Sequence, residues 1–299
     1  MKIGLTLPSF VHGLDRATTL AWCRRIEDGP FSSVALGDRF AYWSHELITS
    51  LAFAAAATET VRLVSTVVVL PTYDEVRLAK QVATIDVLSG GRLTLGVGVG
   101  GREQDYAAVG AEYEGRFGRL DEQVMVMRRI WSGEDVIDGL PAIGPEPVQT
   151  GGPPILTAAM GPQSLARSAV WADGIAGFDL APDPRSVAAT FRGVEDAWRA
   201  AGRSERPWLS TSTWFALGDG SEDRLRSYAR DYLSTFGPAA ADAMAGLCQL
   251  SDPGALRDAI DGIAEAGADE LILVPTSSDP TELDRLVSAL AVMTPRLVA

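Results

Sequence analysis

Histidine and cysteine are scarce. The 299 residues hold two of each: His12 and His45, Cys23 and Cys248. A three-histidine metal cage is therefore impossible, and neither H-x-x-x-H nor C-x-x-C spacing occurs. Two cysteines make no disulfide framework. No apolar run reaches the roughly 18 residues that a membrane-spanning helix needs. The first residues, MKIGLTLPSF, lack the apolar stretch and small-residue cleavage site of a signal peptide, so a cytoplasmic setting is expected. Lys and Arg number 26 against 39 Asp and Glu, a net charge of −13. That balance argues against a nucleic-acid or anionic-membrane surface, because both require a basic footprint. A local anion site remains possible, since backbone amides can supply one without lysine.

What the chain does have is alternation. Short β-rich apolar runs occur at 2–8, 33–38, 61–71, 92–99, 154–159, 174–178, 208–217 and 270–275. Helical patterns follow them at 18–28, 46–60, 75–89, 119–133, 163–173, 185–202, 221–237 and 281–293. Strands alternating with helices imply βαβ units and a parallel sheet. Eight such units in roughly 300 residues predict a closed (β/α)8 TIM barrel rather than an open sheet, as a single domain over 1–299. Two insertions interrupt the pattern. The Gly- and Pro-rich segment 134–153 reads as a long loop, and 237–254 as a stretch holding a short extra helix.

The stretch RLTLGVGVGGREQDY, 92–106, satisfies G-x-G-x-x-G. A dinucleotide fingerprint requires the first βα turn and an acidic residue at the end of the next strand. Here the glycines follow the fourth strand, and Asp121 and Glu122 fall inside a helical pattern. A P-loop fails too, for want of the following Lys and Ser/Thr. Strand alternation places Gly96, Gly98 and Gly100 on one face and Leu95, Val97 and Val99 on the other. The bare face admits a flat ring, permits a close backbone approach, or relieves crowding in the barrel.

RLAKQVATIDVLSGGRLTLGVGVGGREQDYAAVG (77–110), RFGRLDEQVMVMRRIWSG (116–133), ADGIAGF (172–178) and AGADELIL (266–273) together resemble the bacterial luciferase-like monooxygenase superfamily. The resemblance covers nearly the whole chain, and its first segment is the most specific. It implies a barrel that binds FMN or the deazaflavin F420. It also implies a non-prolyl cis peptide at Thr66–Val67 that bulges against the cofactor ring. Asp38 matches an acidic residue that hydrogen-bonds the deazaflavin, and Trp43 a site tryptophan of the F420-dependent sugar-phosphate dehydrogenases. Val99, Gly100 and Gln104 also match the F420 branch. Ala159, Met160, Gly161, Gln163 and Ser164 match a turn that meets the cofactor phosphate at a helix N-terminus, with Met160 replacing a usual glycine. Read without the resemblance, Asp38 caps a loop, Trp43 packs at the rim, and 157–164 is an ordinary strand-to-helix turn.

Three features depart from the family pattern. The common Asp-His pair is Asp38-Arg39 here, Gly101 stands where the sugar-phosphate dehydrogenases carry a catalytic glutamate, and basic residues for a sugar phosphate are not evident. Glucose-6-phosphate oxidation is therefore not expected. Arg39 is a permanent cation, suited to an anionic reduced cofactor or substrate, or else to a rim salt bridge with Asp38 or Glu46. His12 is either an acid–base group near the pocket or a solvated loop residue. Trp214 and Phe215 either wall the pocket or pack the core. The expectation is an F420-dependent oxidoreductase moving a hydride between ring C5 and a small organic substrate. The alternatives are an FMN-dependent monooxygenase served by a flavin reductase partner, and a cofactor-binding barrel without turnover. The resemblance also implies a homodimer through helices of the second and third βα units.

Overall fold

The computed structural model describes residues 1–136 and 138–291. The elements are β1 (Lys2–Thr6), α1 (Arg16–Glu27), β2 (Ser33–Leu36), α2 (Leu47–Ala57), β3 (Arg62–Ser65), β4 (Val68–Val69) and α3 (Glu75–Ser89). After them come β5 (Leu93–Gly98), α4 (Glu103–Val109), α5 (Arg116–Trp131), β6 (Ile155–Thr157), α6 (Pro162–Ser168), β7 (Gly174–Ala176) and α7 (Pro184–Ala200). The last are β8 (Trp208–Phe215), α8 (Ser221–Leu233), α9 (Pro238–Ala245), α10 (Pro253–Glu265), β9 (Glu270–Pro275) and α11 (Thr281–Ala291).

The strands hydrogen-bond in the order β3-β2-β1-β9-β8-β7-β6-β5-β4, with β3 also pairing β5. The pairs are parallel: Leu5 lies opposite Leu273, and Leu273 opposite Thr213. β3 and β4 are the two halves of one run broken at 66–67, so nine segments count as eight strands. An order that returns on itself through the β3–β5 pairing is that of a (β/α)8 barrel.

Three elements differ from the sequence expectation. The 61–71 run is not one strand: it breaks after Ser65 and enters a 3-10 turn at Leu70–Thr72. Pro71 has no N–H to continue a ladder. α4 is hidden behind the glycines, although Glu103 and Asp105 favour its first turn. α10 escapes the periodicity because Gly254 and Gly262 dilute its pattern. Yet Asp252 accepts hydrogen bonds from Gly254 N and Ala255 N (2.8 and 3.0 Å), and Pro253 fits the first turn, an N-terminal signature. A Cβ at Gly262 would stand 2.3 Å from Pro184 Cγ, so glycine there permits close packing. Residues 292–293 of the last expected helix lie outside the described residues.

The residues form two compact units. The first comprises Met1–Val34, Gly177–Gly193 and the chain from Leu209 onward. At its centre Glu270 is fully buried and accepts from Ser32 Oγ (2.7 Å) and Ser33 Oγ (2.8 Å). A side chain at Gly4 would collide with Ser33 Oγ at 2.2 Å, so glycine makes room for this polar cluster. The opposite strand face carries Leu5, Leu271 and Leu273, all fully buried. The second unit comprises Ala35–Ala176 and Val194–Trp208. There Arg92 gathers the carbonyls of Ala55, Thr58, Val61 and Ser89 (2.7–3.1 Å), capping the C-terminal ends of α2 and α3 with one cation. Fully buried Asp86 accepts from Gln149 N (3.1 Å) and Nε2 (2.7 Å), pinning the end of the 134–153 loop.

Candidate active site

Asp38 stands two residues beyond β2, at the strand end where barrels carry chemistry. Its carboxylate accepts from Val69 N (3.0 Å) and from Tyr73 Oη (3.1 Å). Burial pushes its pKa up to about 6, against those two donors, and the negative charges of Glu46 and Asp105 push the same way. The Tyr73 hydroxyl is itself raised far above its ordinary value by burial and by Asp38 beside it. The carboxyl therefore changes charge close to neutrality.

The loop that follows is clamped. Asp105, buried on α4, accepts from Ala41 N (2.6 Å) and pairs with Arg102 Nε (3.3 Å). Arg102 also donates to Ala41 O (3.3 Å). Within this loop Arg39 is buried, only 5% exposed. Its guanidinium lies 4.1 Å from the centroid of Tyr42, a cation–π contact. Trp43 is exposed, with its ring 5.1 Å from that of Tyr42. Tyr73, Arg102 and Asp105 carry no signal of their own in the sequence. Their partners in the 38–41 segment lie 35 to 64 residues away, so no local pattern marks those contacts.

The glycine face has a definite occupant. A Cβ at Gly96 would stand 2.2 Å from Ser65 O and 2.9 Å from Val67 Cγ1. One at Gly98 would meet Val67 Cγ2 at 3.0 Å and Ala158 Cβ at 3.1 Å. Gly100 has φ +61° and faces Val69. The bare strand thus receives the 65–69 backbone, and a ring lying directly on Gly96 and Gly98 is excluded. The Thr66–Val67 peptide is cis. Thr66 N and Oγ1 both donate to Leu36 O (2.6 and 3.2 Å), and Ser65 Oγ donates to Gly96 O (2.8 Å). Thr66 and Val67 remain half-buried, so they present the surface that the glycines do not. Val99 accepts from the Tyr106 hydroxyl, and Gln104 is exposed on the first turn of α4.

The turn after β6 is built from backbone. Ala159 N donates to Thr157 Oγ1 (3.2 Å), Met160 is 87% exposed, and Gly161 takes φ 90° and ψ 160° before α6. Among the described residues no side chain caps α6, and Pro162 opens it. The amides of Gln163 and Ser164 belong to the first turn, where a helix offers no internal acceptor. Among the described residues only glycines have positive φ, so Met160 occupies its position without backbone strain. Donor-rich and uncapped, the turn suits a phosphate, as the half-buried carboxyl and the Thr66–Val67 surface suit a polar-edged ring. His12 lies exposed in the loop after β1, in the first unit. There too Trp214 is 4% exposed and Phe215 fully buried, on opposite faces of β8.

Among the described residues no helix is long and apolar enough to cross a membrane. The chain is 32% identical over 167 residues to an uncharacterized protein of Mycobacterium bovis, covering 54% of this chain and 58% of that one. It is 36% identical over 121 residues to an F420-dependent glucose-6-phosphate dehydrogenase of Gordonia bronchialis, covering 37% and 36%. The matches thus span between a third and three-fifths of these relatives' lengths. Among solved structures, the monooxygenase RslO1 from Streptomyces bottropensis superposes with a TM-score of 0.80 at 23% identity, over 100% of both chains. An F420-dependent secondary alcohol dehydrogenase, in complex with an F420-acetone adduct, superposes with a TM-score of 0.77 at 20% identity, over 98% of both. At such identities these likenesses concern the fold. The luciferase-like monooxygenase family matches residues 1–274, and the chain belongs to that family.

Proposed function

We propose that the chain is an F420-dependent oxidoreductase that moves a hydride between the deazaflavin C5 and a small organic substrate, working as one functional domain over 1–299. The observation that carries this reading is the Asp38 carboxyl, held by Val69 N and Tyr73 Oη and pushed to about 6. A bound deazaflavin supplies the hydride chemistry; the protein supplies position and electrostatics. Asp38 would hold or take up a proton beside the group as its charge changes. Thr66, Val67, Val99, Gly100 and Gln104 would hold the deazaflavin ring. The amides from Ala159 and Met160 through Gly161, Gln163 and Ser164 receive the phosphate. Arg39 and Trp43 are proposed as groups that face the substrate, and His12, of the first unit, is proposed separately as an acid–base group. Arg39 cannot deliver a proton near neutral pH, so its share is charge.

The preference for F420 over FMN rests on Asp38, Trp43, Val99, Gly100 and Gln104, and relatives named as F420-dependent support it. Likeness to a monooxygenase fold supports the FMN reading, which requires a flavin reductase partner. Arg39 and Gly101, where a histidine and a glutamate are usual, support a cofactor-binding barrel without turnover. Titrating the purified chain with F420 and FMN in parallel tests the choice. Binding of F420 at about 1 μM or tighter, with FMN at least about a hundredfold weaker, is the expected result. The reverse order overturns it. A cytoplasmic setting belongs to the same proposal and is supported by Cys23 and Cys248, both buried free thiols. So does a homodimer, supported by the small exposed residues Thr49, Ala52 and Ala56 along α2.

A further inference from the structure

The first unit carries an aromatic cluster at its strand ends that the cofactor reading leaves unused. Phe178, just past β7, is 44% exposed and meets Trp214 of β8 edge-on, at 4.9 Å between centroids. Behind Trp214 stand Tyr228 and Tyr232 of α8, at 5.5 and 5.1 Å. A phenylalanine so held presents an apolar edge to solvent without being free to fold away. Val274 of β9 lies opposite Trp214 and is half-buried.

A polar atom adjoins this surface. Leu5 pairs with Leu273, so the next residue, Thr6, falls in the row of Val274 and Trp214 and on their face. Thr6 is 4% exposed, and its Oγ1 is buried with no hydrogen-bond partner among the described residues. A buried hydroxyl left unsatisfied is destabilising, and a ligand oxygen restores its missing partner. Apolar rings with one unsatisfied hydroxyl beside them are the lining of a selective small-molecule site.

We infer that Thr6, Val274, Trp214 and Phe178 form a binding face for an apolar, ring-bearing carbonyl compound, whose oxygen accepts from Thr6 Oγ1 while its ring packs on Phe178 and Trp214. The inference rests on the proposed function only in calling that compound the substrate. A sugar phosphate is the wrong chemistry for this face: none of the four side chains carries a charge.

Saturation-transfer NMR and calorimetry on the full chain test the face with three probes: acetophenone, ethylbenzene and glucose 6-phosphate. Acetophenone binds, ethylbenzene binds about tenfold more weakly, and glucose 6-phosphate displaces neither. Phe178→Ala weakens both aromatic probes, also by about tenfold. Thr6→Val, nearly isosteric, weakens acetophenone alone and brings it level with ethylbenzene. Thermal melts check that both variants fold; Phe178 is exposed enough for its truncation to be tolerated. Absence of acetophenone binding overturns the inference. So does displacement by glucose 6-phosphate, or a Thr6→Val effect equal on both aromatic probes. F420 titrated separately keeps the two proposals apart: if it fails to bind while these results hold, the cofactor reading falls and the face stands. If F420 binds normally and the aromatic selectivity is absent, the face falls and the cofactor reading stands.

Discussion

The loop after β2 and the turn after β6 both leave strand ends of the second unit, and they are built in opposite ways. The first is fixed by side chains: Asp38 on Val69 and Tyr73, and Asp105 and Arg102 on Ala41. The second has no side-chain cap and lies largely exposed, with Met160 at 87%. A group that must change charge near neutral pH needs fixed neighbours, because burial and specific donors set its pKa. A phosphate needs only amides at a helix start, which any non-proline residue with permitted torsions supplies. Under the proposed function, the difference accounts for a methionine where the family pattern has glycine.

Five substitutions, one of them a control, sharpen that contrast. Gly96→Ala has the largest expected effect. The added carbon meets the Ser65 carbonyl, a backbone atom that cannot step aside, and stability falls by about 3 kcal/mol in denaturant melts. Gly101→Ala, with nothing within 4 Å of its Cβ, is the control and is expected to be near neutral. Asp105→Ala comes next, removing the acceptor of Ala41 N and the partner of Arg102, at about 2 kcal/mol. An unchanged midpoint for this variant would show that the loop is not clamped.

Asp38→Asn has a smaller effect with a pH signature. Because the folded carboxyl has a pKa near 6 rather than 3.8, the folded chain binds the proton more tightly than the unfolded one. Its stabilising contribution is complete below about pH 4 and is lost as pH rises through 6. The amide cannot ionise, so the variant gains about 1 kcal/mol relative to wild type at pH 8 and nothing at pH 4, a figure reduced for partial exposure. Equal shifts at both pH values would contradict the raised pKa. Met160→Gly is expected to be smallest, changing stability by less than about 0.5 kcal/mol and F420 affinity by less than about threefold. A large loss would mean the methionine side chain itself takes part.

Much of this contrast is legible in the sequence, for reasons visible residue by residue. The alternating strands and helices point to the barrel because hydrophobic periodicity is local. The glycine run stands out at once, yet spacing alone leaves three uses for its bare face. Only the distance from Gly96 to Ser65 O decides for a close backbone approach. The burial of Arg39 is not readable, since a loop arginine is usually solvated and Tyr42 nearby gives no sign of stacking. The clamp by Asp105 is invisible because its partner is a backbone amide 64 residues away. α10 is legible in principle from Asp252-Pro253 and is obscured by Gly262, whose reason is Pro184.

The central claim is that the β5 glycines hold up Thr66–Val67 as the platform on which a tricyclic cofactor rests, with its phosphate on the turn after β6. A crystal structure of the chain soaked with F420 tests this most directly. The account predicts ring density against Thr66 and Val67, an edge atom within hydrogen-bond distance of Asp38, and the phosphate on the amides of 159–164. Density for the cofactor elsewhere, or crystals that stay empty at saturating F420, would contradict it.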